Sequence, residues 1–120
     1  MRTYAAWTLL ALFVVAIPFA ALHMSAQTRK KSGEQLFKER GCATCHGADL
    51  KGTQMAPALQ SNKKKWKKEA LIQYITNPAA EKKKYPRLVE MSKNYTMMQM
   101  PPNKMDAQQM KALVDFLMKR

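Results

Sequence analysis

The chain is poor in the residues from which proteins build metal cages. It has two cysteines, Cys42 and Cys45, and two histidines, His23 and His46. A structural zinc site needs four such ligands in a closed tetrahedron, and His23 stands on the flank of an apolar leader, so a zinc site cannot close in the rest of the chain. Acids are scarce too, eight against 21 lysines and arginines. No paired carboxylates, activated nucleophile or second cofactor motif stands out, which leaves no visible catalytic constellation. Alternating strand patterns are missing as well, and with them the strand-and-helix framework that a thioredoxin-like C-x-x-C requires. No internal repeat is present.

What the chain does have is positive charge. The formal net charge is +13, and +12 once Arg2 of the leader is set aside. Such a balance predicts attraction to an anionic surface: nucleic acid, lipid headgroups or an acidic protein face. Compartment decides among them. Residues 5–22, AAWTLLALFVVAIPFAAL, carry no charged side chain and lie between Arg2 and the cluster Arg29, Lys30, Lys31. The run is longer than a usual signal-peptide core and at the lower limit for a membrane span. Residues 1–26 are therefore expected to be an export signal, cut after Ala26, or a retained N-terminal membrane anchor. Either way the following domain is exported, to the periplasm, and nucleic acid is not expected among its partners.

Residues 27–31 form a polar linker and residues 32–120 the folded domain. At ~90 residues a protein-only core is marginal, and a bound cofactor often supplies the missing apolar bulk. Ser32 and Gln35 have capping-box spacing, which predicts a helix from Gly33 to about Cys42 with Leu36 and Phe37 buried. Residues 47–65 read as irregular loop. WKKEALIQYITNP, residues 66–78, places Leu71, Ile72 and Ile75 at helical spacing up to a proline that stops the helix or starts another. The stretch after it is less regular, broken by Pro86, Pro101 and Pro102. Asp106 and Gln109 again have capping-box spacing, and Met110, Leu113, Val114 and Leu117 predict a closing amphipathic helix of about 13 residues.

The two cysteines fall in GCATCHG, residues 41–47. C-x-x-C-H reads as a covalent haem attachment site. Residues three apart share one face of a helical turn, so Cys42 and Cys45 can each form a thioether to one vinyl group of a single haem, with His46 as proximal ligand to iron. A disulfide between residues three apart would close a very small loop and stabilise little. With no second histidine in the domain, the sixth ligand is methionine, lysine or none. YTMMQMPP, residues 95–102, offers Met97, Met98 and Met100 on a proline-stiffened loop, whereas Met110 belongs to a helical stripe and reads as core.

Over residues 32–120 the chain resembles the class I c-type cytochromes of bacterial, single-haem type. GEQLF, residues 33–37, is similar to the family's N-terminal helix, with one residue more before the first cysteine than in the mitochondrial type. APAL, residues 56–59, is similar to its G-P-x-L. W…L…Y…NP, residues 66–78, repeats a further family frame. The resemblance implies a small all-α fold of three to four helices wrapped around one covalent haem c, the N- and C-terminal helices crossing where Leu113 and Phe116 meet Gly33 and Phe37. It implies that the Pro57 carbonyl accepts a hydrogen bond from His46, that Leu59 packs on the haem, that Trp66 donates to a haem propionate, and that Tyr74 hydrogen-bonds the sixth ligand or an internal water. It favours Met100, which precedes proline, over Met98 and Met97. Against the mitochondrial type, the loop from Pro78 to Met100 is longer and that from His46 to Trp66 shorter.

With both axial positions filled by His46 and Met100, iron is closed to substrates, and the expected function is one-electron transfer between an exported or membrane-bound reductase or dehydrogenase and a terminal acceptor such as an oxidase. No small-molecule substrate is expected. KKKWKK at residues 63–68 and KKK at 82–84 are expected to steer an acidic redox partner. Two other readings stand beside this one: a fixed haem subunit of a larger oxidoreductase, and a haem-based ligand sensor with a labile methionine.

Overall fold

The computed structural model describes residues 30–96 and 99–120. The apolar run at 5–22, Met97 and Met98 lie outside the described residues. Among the described residues all regular structure is helical, in seven segments: α1 Gly33–Glu39, α2 Cys42–His46, α3 Asn62–Lys65, α4 Lys68–Thr76, α5 Pro78–Lys82, α6 Pro86–Ser92 and α7 Ala107–Leu117. None of these helices is long and apolar enough to cross a membrane.

α1 begins with the expected reciprocal cap. The Gln35 amide donates to Ser32 Oγ at 3.2 Å and the Ser32 amide to Gln35 Oε1 at 2.9 Å, so two otherwise orphaned donors are satisfied. The helix ends earlier than its spacing predicts. Gly41 takes a left-handed conformation, φ 74°, and its amide donates to the Lys38 carbonyl at 3.0 Å. A glycine in this conformation closes a helix at little cost, and the chain restarts in a new direction as α2. At α7 the second cap is half of a box. Asp106 Oδ1 accepts from the Gln109 amide at 2.7 Å, while the Gln109 side chain accepts from Arg40 Nη2 at 3.0 Å instead of reaching back.

α1 and α7 cross in direct backbone contact. A Cβ on Gly33 would stand 2.2 Å from the Ala112 carbonyl oxygen and 2.4 Å from Phe116 Cβ, so only glycine permits this approach. Beside it Phe37 and Phe116 pack with ring centroids 5.9 Å apart. Leu36, Phe37, Leu113 and Val114 are the most completely buried large side chains, and Leu71 and Ile75 of α4, with Leu50, Met110 and Leu117, complete one apolar core. Each such side chain contributes about 1.5–3 kcal/mol of hydrophobic stabilisation relative to exposure.

The less regular stretch after α4 contains two short helices, and its prolines begin them. Pro78 and Pro86 each occupy the first turn of a helix, where the missing amide hydrogen would have been unpaired in any case and φ is already set. Asn77 caps α5 through its side chain, accepting from the Ala80 amide at 3.4 Å. Residues 47–65 likewise end in a single helical turn, α3. The three helices read from the sequence are thus joined by four short ones.

Candidate haem-binding site

Beside α4 lies a cavity of about 360 Å³, within the size range of cofactor sites. α2 supplies Cys42, Cys45 and His46, α4 supplies Tyr74, and α6 supplies Leu88 and Met91. Met100 lines it from the loop before α7, on the far side of the chain in sequence. That loop is tied to α4, since the Asn103 amide donates to the Ile75 carbonyl at 3.0 Å.

His46 is buried and held twice. Its Nδ1 lies 2.8 Å from the Pro57 carbonyl oxygen. A carbonyl only accepts, so Nδ1 carries the proton and the lone pair is left on Nε2, the tautomer a metal requires. Burial lowers the His46 pKa below its ordinary value, partly opposed by the Pro57 bond, and so favours the neutral imidazole. The second hold is on its backbone, where the Gly52 amide donates to the His46 carbonyl at 2.9 Å.

The loop from Gly47 to Leu59 exists in a form that delivers Pro57 to that ring. Gly47 and Gly52 have φ of 79° and 82°. A Cβ on Gly52 would stand 2.6 Å from the Ala58 amide nitrogen and 2.9 Å from Pro57 C, so the turn folds back flat against the segment it presents. Thr53 staples the same loop to α2, its hydroxyl donating to the Cys45 carbonyl at 2.6 Å. Leu59 then returns the chain through its amide to the Leu50 carbonyl at 2.9 Å.

Cys42 and Cys45 are half-buried free thiols on one wall of the cavity. Burial pushes the Cys42 thiol above its ordinary pKa, and Tyr74 is raised for the same reason. The donor set fits a covalent haem: two thiols from one helical turn, an imidazole with Nε2 available, a thioether sulfur from another loop, and a largely apolar lining. Cys42 and Cys45 would tether the group, and His46 with Met100 would approach its iron.

Two residues expected at the haem are not among those that line the cavity. Leu59 is half-buried against the α1, α4 and α7 core and does not line the cavity. Trp66 does not line it either. Its ring sits 5.2 Å from that of Tyr74 and 5.0 Å from that of Tyr85, and the Arg87 guanidinium covers it at 4.5 Å. The ring is half-buried, packed against the edge of the apolar core and covered by Tyr85 and Arg87. Sequence reasoning missed Leu88 and Met91 because they belong to a helix whose first residue is proline, a residue that reads as a breaker. It also missed the part played by Gly52, for which a glycine ahead of APAL was the available signal.

A family model described as Cytochrome c matches residues 31–120. No curated protein and no solved structure matches the chain.

Proposed function

The chain belongs to the cytochrome c family and carries one covalent haem c as an electron carrier, and we propose that Cys42 and Cys45 form its two thioethers while His46 and Met100 are its axial ligands. The group supplies a site that holds or releases one electron without a change in bonding. The residues of the chain do the rest. Pro57 fixes the imidazole ring and raises its basicity. The apolar wall of Leu88, Met91 and Met100 keeps water from the cavity, and a dry site with a methionine ligand favours the reduced, less charged state. Tyr74 shares the cavity wall with Met100, and its phenol is the one we assign to the methionine side.

The observation that carries this reading is the convergence of Cys42, Cys45, His46 and Met100 on one cavity. We place the domain in the periplasm, soluble or tethered by residues 5–22, between a membrane-bound reductase or dehydrogenase and a terminal acceptor such as an oxidase. Its lysines, at 63–68 and 82–84, steer acidic redox partners to short-lived, salt-sensitive encounters.

Intact mass of the native protein tests the first half. It should exceed the chain mass by one haem, and a mass without it ends the proposal. The second half is tested by the rate of electron exchange with an acidic oxidase against ionic strength. The rate should fall steeply with salt, and a flat profile removes the steering.

A further inference from the structure

We propose that the face built around Trp66 is a docking site for an acidic protein surface, separate from the mouth of the cavity. The inference rests on the steering reading above and gives it a location. Six of the eight acids are paired with lysines elsewhere on the surface: Glu34 and Glu39 on α1, Asp49, Glu81, Glu90 and Asp115. Of the run around Trp66, only Lys68 takes part in this pairing. Lys63, Lys64, Lys65 and Lys67 are exposed and make no ion pair among the described residues, with Lys65 Nζ only 3.4 Å from the Gln60 carbonyl. Glu69 is the one acid close by in sequence, and Lys68 is already shared with Asp115.

Charge alone would describe a solvated surface. What distinguishes this one is an arginine held over a cluster of aromatic rings, with Tyr85 edge-on to Trp66. The Arg87 guanidinium lies 4.5 Å from the Trp66 ring centroid and 6.0 Å from that of Tyr85, and its Nη2 donates to the Lys65 carbonyl at 2.9 Å. Arg87 is exposed all the same and makes no ion pair among the described residues. Stacking and the single hydrogen bond hold the planar fork still while most of its N–H donors face solvent, ready for a carboxylate. An anchor that is ordered before binding loses little entropy on binding, and Trp, Tyr and Arg together are the residues in which binding energy concentrates at interfaces. The lysines around it set the encounter rate and Arg87 fixes the orientation.

This face also communicates with the cavity. Tyr74 lines the cavity and its ring is 5.2 Å from that of Trp66, so a partner seated on Arg87 and Trp66 is one aromatic ring away from the cavity wall. The other route in is the mouth, where Arg40 and Lys82 are the cationic lining side chains.

The test uses the ¹⁵N-labelled full-length holoprotein titrated with poly-L-glutamate at low ionic strength. The Trp66 indole N–H and the amides of residues 63–68 and 85–87 should shift together and return on adding salt. Replacing Lys63, Lys64 and Lys65 by Glu should weaken binding at least about tenfold, whereas Arg40→Glu with Lys82→Glu should change it less than about twofold. Arg87→Lys keeps the charge, loses the stacked fork and should still weaken binding severalfold; this exposed substitution spares the core that a Trp66 variant would disturb. Shifts confined to Arg40, Lys82 and their neighbours would overturn the Trp66 face and leave steering intact. Absence of any binding would overturn both.

Discussion

The two sides of α4 are built on different terms. Toward α1 and α7 the chain packs on itself: Leu36, Phe37, Leu113 and Val114 are all at most 1 % exposed, and Gly33 lets the backbones touch. Toward the cavity, α5 and α6 contribute two buried apolar residues, Pro78 and Leu88, and neither belongs to the core cluster. Val89, next to Leu88, is 41 % exposed, and Met55 on the opposite rim 40 %. The first side has a continuous apolar core of its own. The second is a wall on which a cofactor would pack, as expected for a chain too small to enclose a second core.

The sharpest way to break the comparison is to remove the tethers. Cys42→Ala with Cys45→Ala should give a protein of chain mass without haem. Hydrogen exchange should then show α5 and α6 amides close to unprotected while α1 and α7 keep the most protection that remains. Equal loss on both sides would show that the two halves are one cooperative unit.

On the self-packed side, Phe37→Ala should cost about 3–5 kcal/mol in urea unfolding of the holoprotein. Leu88→Ala on the other side should cost about 2–4 kcal/mol with haem attached, and far less in protein lacking it, because its packing partner is then absent. An equal cost in both states would place Leu88 in the protein core after all.

Met100→Ala should abolish the weak long-wavelength absorption of the oxidised methionine-bound iron and lower the reduction potential. Met91→Ala should leave the absorption in place, although both side chains line the cavity. The reverse outcome would assign the ligand to α6.

The smallest effect lies on α7, where Lys111 and Lys68 hold the Asp115 carboxyl down from 3.8 to about 2. A depressed carboxylate stabilises the fold above its ordinary pKa, and that contribution fades as pH falls from about 4 through about 2. Asp115→Asn should therefore flatten the acid limb of a stability profile between those values and leave stability at pH 7 only slightly lower, as expected for an exposed pair.

Much of this division was legible before any coordinates. The caps at Ser32 and Asp106 and the apolar spacing of α4 and α7 are local signals, and local hydrogen bonds decide them. GCATCHG was legible through scarcity, because no other thiol and no other histidine in the domain competes for its chemistry. The cavity wall was not. Pro78 and Pro86 read as breaks, but a proline in a first turn starts a helix, and only the cofactor-facing side of α6 rewards its formation. Trp66 is expected from a family frame to donate to a haem propionate; its ring packs against the core edge and Tyr85, outside the cavity lining.

The double hold on His46 bears on speed. When the charge in the cavity changes by one, every group that must move in response adds to the work of rearrangement, and the transfer rate falls steeply with that work. A ring fixed by Pro57 at Nδ1 and a backbone fixed by Gly52 at its carbonyl leave the histidine little to rearrange. Such preorganised dipoles need no reorientation at the moment of transfer. Gly52, which lies outside the cavity lining, is in this sense expected to act on rate, by holding His46 nearly alike in both oxidation states.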